Sequence, residues 1–321
     1  MNTMALRSAL GLLVGGCLLG AVTTTGCADR KATSMVVAVS SEIAVPDEVD
    51  HLEIHVSSLG AAKFDRTYLL GQNGDASLPG TLVISPEDET DPSTPVKVTV
   101  VAKYHDTRIR VLREAVLAFS DEKQRLLRMP LRFSCLDFEE ICQEGNTCRG
   151  GECVPSTIDA SALPEFEPTQ VFAEESSCFD RAACIPKDLT EDMTDYLRSQ
   201  AASGRCSFSL DELRAEIDAH HTNDATGSTR PSIDKDAFNL GYVWSKNASA
   251  KWTAVDMDHE EGWHLETVDG ATHIELAPGM CKALNATYVD ETGAVRPKVA
   301  KVIMNPACPP KAPTQPECPV K

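Results

Sequence analysis

Between Cys135 and Cys153 the chain reads C-LDFEEI-C-QEGNT-C-RGGE-C, four cysteines separated by six, five and four residues. A segment this short cannot bury enough apolar surface to hold its own shape, so it needs staples. Four cysteines suit zinc in number, but the close C-x-x-C pairs of zinc ribbons and fingers are missing. Gly145, Gly150 and Gly151 permit the tight turns that closely spaced bridges require. The stretch therefore reads as a disulfide module. Four cysteines allow three pairings, and the sequence does not choose among them. The chain holds 12 cysteines in 321 residues, and Cys178, Cys184, Cys206, Cys281, Cys308 and Cys318 follow the module as further disulfide candidates. Thiols at this density belong in an oxidising compartment.

The N-terminus agrees. Arg7 is the first charged side chain and Asp29 the next, with the apolar run SALGLLVGGCLLGAV between them. A positive n-region followed by an h-region is the layout of a secretory signal. The run closes on Thr24-Thr25-Gly26-Cys27, which predicts a signal peptide over 1–26 and a lipidated tether over 27–33, with Cys27 as the acylated residue. Cys17 is a second candidate whose h-region would be too short. An uncleaved spanning helix is the competing reading, but the run is rich in Gly and Thr and no basic stop-transfer cluster follows it. Several acyl chains on one residue suffice for stable anchoring, so the membrane is an expected partner.

From residue 34 to 133 the chain alternates with period two. Leu52, Ile54 and Val56 share one face; so do Val96, Val98, Val100, Ala102 and Tyr104. Leu127, Met129, Leu131 and Phe133 face inward and Arg128 and Arg132 outward. Such alternation predicts half-buried strands with one wet face. About seven strands fit into roughly 100 residues, the count of an immunoglobulin-like β-sandwich. The internal cysteine pair and the buried strand Trp of that fold are absent, so the likeness is architectural. The module follows over 134–154, and a Pro-rich acidic linker over 155–175 reads as an extended spacer.

Residues 176–321 are expected to form a second β-sandwich-like domain stapled by disulfides, with a helical insertion at 188–220. Leu189, Met193, Tyr196 and Leu197 are spaced for one helix, and Ser209-Leu-Asp-Glu212 is a capping box opening another. Strands are predicted at 238–244, 251–257, 263–268 and 272–276. A hairpin is predicted to pair 286–289 with 299–304. The Pro-rich tail is expected to be pinned by Cys308 and Cys318.

Function is less legible. The formal net charge of -18 repels a phosphate backbone, so nucleic acid is excluded as a partner. Trp244, Trp252 and Trp263 fall within twenty residues and could form a sugar-stacking platform, although Trp more often fills a core. Asp256, Asp258 and Glu260 copy the first three ligands of an EF-hand loop, but Glu261 stands where that loop needs Gly and Thr267 where it needs Glu; a looser calcium site is the residual reading. The acidic loop 86–91 is another place calcium could sit. His259-Glu-Glu-Gly-Trp-His264 resembles a zincin string with its second His one residue late, off the metal face of a helix. No other cofactor is implied.

The chain as a whole resembles a family of cysteine-rich lipoproteins of myxobacterial type. The matching pieces are the lipobox at Cys27, the opening Met35-Val-Val-Ala-Val39 strand, Arg110-Val-Leu-Arg-Glu-Ala115, the C-x-x-G-x-T-C-x-x-G-x-C module, Glu261-Gly-Trp263, Leu276-Ala-Pro-Gly-Met-Cys281, and Ala307-Cys308-Pro309 through Cys318. The resemblance implies location and architecture and supplies no catalytic residues. The expectation is a lipid-anchored protein of the cell envelope, on the periplasmic or surface face of the outer membrane. It would be non-catalytic, binding a glycan or an envelope protein. The alternative is a secreted hydrolase or sensor with an unrecognised site, which a cleft with converging acids would favour.

Overall fold

The period-two stretches at 51–57 and 96–104 form the strands they predict, whereas the stretch 127–133 leaves its strand after Arg128 and ends in a 3-10 turn at Phe133–Cys135. The computed structural model describes the chain from Thr33 onward, except residues 72, 87–90, 120–122, 138–141, 173–177, 185–190, 222–237, 245–252, 290–291, 307, 314, 316–317 and 319–321. Cys17, Cys27, Trp252 and most of the acidic loop 86–91 lie outside the described residues. Strands β1 (Ser34–Val39), β2 (His51–Ser58), β3 (Ala61–Leu69), β4 (Gly80–Ile84), β5 (Val96–Tyr104), β6 (Arg108–Leu117) and β7 (Gln124–Arg128) make two sheets, ordered β4-β1-β7 and β3-β2-β5-β6. Pairing is antiparallel except between β1 and β7. Met35, Val37, Val39 and Leu127 meet Leu52, Ile54, Val98 and Val100 in one core, which makes this region a β-sandwich. His105 and Asp106 turn β5 into β6 at φ 53° and 58°, the left-handed pair that matches the twist of a tight hairpin.

The segment after the module is extended, as expected, but it is no free spacer. Val116 N–H donates to Ser156 O (2.8 Å), Ile158 N–H to Val116 O (2.9 Å), Leu126 N–H to Pro164 O (2.9 Å) and Phe166 N–H to Gln124 O (2.8 Å). It thereby covers the outer edges of β6 and β7, whose backbone groups would otherwise be open pairing templates. Its few apolar groups matter too: Val171 and Phe166 pack on Ala38 and Leu126, so β1 is buried on both faces.

The module is a hairpin of β8 (Asn146–Arg149) and β9 (Glu152–Pro155). Its bridges interlock, Cys135 with Cys148 and Cys142 with Cys153. Beyond it come α1 (Arg181–Cys184), β10 (Glu191–Asp192), α2 (Thr194–Ala202), β11 (Ser207–Ser209), α3 (Leu210–His221), β12 (Asn239–Trp244), β13 (Thr253–Val255), β14 (Trp263–Val268), β15 (Ala271–Leu276), α4 (Pro278–Asn285), β16 (Thr287–Val289), β17 (Val295–Pro297) and β18 (Val299–Asn305). They form sheets β10-β18-β12-β13, β11-β15-β14 and β16-β17. The chain is mainly β, with the helices set among these sheets. No helix among the described residues is long and apolar enough to cross a membrane. Ser209 caps α3, its Oγ accepting Glu212 N–H at 3.4 Å.

Two expectations fail here. The late hairpin pairs β16 with β17 rather than with 299–304. Val302, Ile303 and Met304 are all buried, and β18 is an interior strand between β10 and β12; a continuous apolar run needs cover on both faces, which a lone hairpin cannot give. Helix α4 was not anticipated. Its Pro278 occupies the first turn, where a missing N–H is harmless, and Met280, Cys281 and Leu284 are its buried side.

The remaining bridges are Cys178–Cys318, Cys184–Cys308 and Cys206–Cys281. All ten cysteines from Cys135 onward are therefore paired, and the first two of these bridges clamp the Pro-rich tail as expected. Closing a loop of 140 residues is worth roughly 5 kcal/mol in the chain-entropy account. Five disulfides assign the folded chain to an oxidising, extracytoplasmic compartment. One hydrophobic core runs from β1 to β18, with Phe133 of the sandwich against the rings of Tyr242 and Trp244 at 4.7 and 5.6 Å.

The module meets α4 backbone to backbone. Gly279 N–H donates to Gly150 O at 2.7 Å, and a Cβ on Gly279 would lie 2.0 Å from Ser134 O. Neither partner is a side chain that can swing away. We therefore expect Gly279→Ala to lower unfolding free energy by roughly 3 kcal/mol, read as a shifted denaturant midpoint with the disulfides intact. A midpoint equal to the parent protein's would mean that this contact is looser than described.

Candidate functional site

The outward-facing side of the sequence after β7 is where the pattern misleads. Arg132 alternates outward as expected, yet it is only 4% exposed. What covers it is the C-terminal region. Its guanidinium reaches Glu42 Oε1 at 2.9 Å, Asp258 Oδ2 at 3.2 Å and Glu261 Oε2 at 3.5 Å, and it also pairs with Asp256. Arg113, inward on β6, holds Glu261 Oε1 at 2.5 Å. Lys311 of the tail pairs with the other oxygen of Asp256. Four carboxylates thus face three cations at the seam between sandwich and C-terminal region.

Backbone donors complete the cluster. Glu42 accepts Asp256 N–H at 3.0 Å and Phe133 N–H at 2.9 Å. Asp258 Oδ1 caps its own turn, accepting the N–H groups of Glu260 and Glu261 at 2.8 and 3.1 Å. Lys311 is placed by its backbone: its carbonyl accepts Met257 N–H at 2.7 Å and its N–H donates to Asn239 Oδ1 at 2.8 Å. Burial pushes the Glu42 carboxyl up to about 7, against the pull of Arg132. Burial works against charged Arg132 as well, but Glu42, Asp256, Glu261 and Asp258 together hold its guanidinium well above its ordinary value. A proton on Glu42 brings the cluster to three negative against three positive groups.

The cluster walls a cleft of about 380 Å³. Glu42, Arg132, Asp256 and Lys311 supply its charged floor, and Ser40, Ser41, Gln170 and Gln315 its polar sides. Arg128 and Arg181 also line it. The Arg128 guanidinium donates to Gln170 O at 2.9 Å and is pushed below its ordinary value by burial and by Arg132.

The anticipated site residues fall in quite different places. Trp263 is fully buried, stacked on Phe238 at 4.8 Å with its indole N–H donating to Val255 O. Trp244 is buried too, with the Arg110 guanidinium 5.8 Å from its ring. Neither can offer a face to a sugar. The carboxylates of the calcium reading are answered by protein cations: Asp256 by Arg132 and Lys311, Asp258 by Arg132, and the exposed Glu260 by Arg149 at 3.4 Å.

Of the zincin-like string, His259 and His264 do meet, stacked at 4.0 Å through a turn rather than a helix. Beside them, a hydrogen bond with Glu266 and then burial push the Glu275 carboxyl up, while burial and then His259 push His264 down. The seam cluster itself left no local signal. Arg132 is 90 residues from Glu42 and 124 from Asp256 in the chain, so only the fold unites them.

Comparison with protein-family models, with curated proteins and with solved structures finds no match to this chain.

Removing one partner of a buried ion group leaves the others unanswered, at about 3–5 kcal/mol. Arg132→Met should show a loss of that size in guanidinium unfolding, while the same change at the exposed Arg149 should show almost none. The Glu42 shift carries a sign. A carboxyl at about 7 when folded and 4.5 when unfolded stabilises fully below pH 4.5, and that contribution is lost as pH rises through 7. Glu42→Gln should therefore gain stability relative to the parent between pH 4.5 and 7. Parallel pH profiles of the two proteins would contradict the assignment.

Proposed function

We propose that this protein is a lipid-tethered receptor of the cell envelope that holds a small carboxylate-bearing ligand in the seam cleft without transforming it. The observation that carries the reading is the way the cleft spends its charge. Glu42 and Asp256 in its wall are taken up by Arg132, Lys311 and backbone donors. Arg128, bonded only to a carbonyl among the contacts described for it, keeps its positive charge toward the cleft. A guanidinium beside hydroxyls and amides is a recognition set for a carboxylate with neighbouring hydroxyl or amide groups. The volume suits one sugar acid or the end of a short peptide. Burial of Trp244 and Trp263 weighs against a glycan platform of stacked indoles, so recognition here is polar.

The tether rests on the signal-like N-terminus and on Thr24-Thr25-Gly26-Cys27. An acylated Cys27 in the outer membrane would put the cleft among envelope polymers, where acidic sugars and peptide carboxylates are the abundant anions. A second reading draws on Glu42 alone: a carboxyl near 7 in a cleft wall is suited to proton transfer or to sensing acidity. Both of its oxygens already accept hydrogen bonds, which favours a structural proton.

Two measurements test the proposal. Cys27→Ala should abolish lipid modification of the N-terminal peptide by mass spectrometry and move the protein from the membrane to the soluble fraction, whereas Cys17→Ala should do neither. In calorimetric titration with uronate oligosaccharides and carboxylate-terminated peptides, Arg128→Glu should weaken binding roughly tenfold or more. Equal affinity of parent and variant for every ligand bound would remove the cleft from the function, and consumption of the ligand would replace binding with catalysis.

A further inference from the structure

Outside the cleft, the β14–β15 hairpin gathers metal-ligating side chains on one face. Its register sets His264 opposite Glu275 and Glu266 opposite His273. Residues two apart on a strand share a face, and directly opposed residues bring their Cβ atoms within about 5.5 Å. Trp263, Ile274 and Leu276 point into the core, so His264, Glu266, His273 and Glu275 form a two-by-two block on the other side. The tight turn at Asp269-Gly270, with φ 52° and 83°, holds this register. One ligand atom each from His264, Glu266 and Glu275 lies within 4.8 Å of the other two.

Two features of the block are unfavourable for the protein alone. Glu266 and Glu275 bring two carboxyl groups together, and the described ion pair to Glu275 comes from His264 at 3.6 Å, beyond hydrogen-bond reach. The two ring nitrogens of His264 are both buried without a hydrogen-bond partner, although an imidazole carries a donor and an acceptor that ordinarily find partners. His259 covers one face of that ring at 4.0 Å and limits how it can turn. His273 is engaged by Ser207 Oγ at 3.2 Å.

We propose that His264, Glu266 and Glu275 form a binding site for a divalent transition ion of the zinc class. One imidazole and two carboxylates are a donor set for a borderline cation, whereas calcium prefers six or more oxygens. The ion would relieve the carboxyl pair and take a ring nitrogen of His264. Metal–ligand bonds near 2.1 Å put ligand atoms roughly 3.4 Å apart, which rotation of the Glu side chains reaches from the spacing described. A three-ligand set leaves one position for water or for a group on a partner. The site is assembled by strand register, so the late second histidine of the string 259–264 is no obstacle.

The test is calorimetric titration of the purified full chain, disulfides intact, with zinc chloride and in parallel with calcium chloride. The expected result is one zinc ion per chain with affinity in the micromolar range, and no competition from millimolar calcium. His264→Ala and Glu275→Gln should each weaken zinc binding roughly tenfold or more, and the melting temperature of Glu275→Gln without metal should stay near the parent's, because that side chain is 39% exposed. Should either variant fail to fold, Glu266→Gln, exposed on the same hairpin, makes the same test. Parent affinity retained in the substituted chains, or no zinc bound at about 100 µM, a free energy near -5.5 kcal/mol, overturns the proposal.

Discussion

A guanidinium taken out of water has to be answered by carboxylates close enough to repay its lost hydration. Arg132 meets that demand with carboxylates from two separate stretches: Glu42 after β1, and Asp256, Asp258 and Glu261 between β13 and β14. Lys311 adds the tail, and Arg113 adds β6. Hydrophobic contact alone would let the sandwich and the C-terminal region slide, because apolar packing has no fixed direction. An ion cluster with assigned oxygens and donors has one register. Buried charge thus contributes little net stability here and a good deal of positional definition.

The disulfides explain why the cluster can persist. Lys311 lies between Cys308 and Cys318, whose partners Cys184 and Cys178 hold the tail at two points. Asn239 then fixes the tail backbone from the inside, its side-chain amide donating to the carbonyls of Cys308 and Pro309 at 3.0 Å each. A lysine on a free proline-rich tail would lose too much entropy on being ordered. With the chain already tied on either side of it, most of that loss is transferred to the oxidation step. The module does the same on the other flank. Its two bridges shape a turn flat enough for Gly151 and Gly279 to touch through their backbones.

What the residue pattern revealed was what local physics determines. Period-two alternation marked β2 and β5 nearly to their ends, the capping box marked α3, and cysteine density marked the oxidised state. Errors arose where a distant segment changed the environment. Arg132 obeyed the alternation of its neighbours and still became buried, because the alternation knows only two faces of a strand and cannot say that the second is roofed. The segment 155–175 was polar and proline-bearing, which describes its side chains, while its backbone was recruited to close two sheet edges. Trp244 and Trp263 were close in sequence and are both taken up by the core. His259 and His264 failed a helical test and meet through a turn that the test did not consider.

Charge is the property in which sequence and structure differ most usefully. Over the whole chain acidic groups outnumber basic ones, 48 against 30, and that surplus would suggest a surface that repels every anion. At short range the sum over the molecule is a poor guide, since exposed charges farther apart than a Debye length of about 8 Å scarcely feel one another in physiological salt. Inside the seam cleft Glu42 and Asp256 are committed to Arg132 and Lys311, Asp47 also lines the wall, and Arg128 stands beside polar neighbours. On the β14–β15 hairpin the reverse holds: two carboxyl groups hydrogen-bonded to each other meet a histidine whose ring nitrogens have no hydrogen-bond partner, with no lysine or arginine described against them. One molecule can therefore offer an anion seat and a cation seat at the same net charge, because each is set by which partners the fold has already assigned.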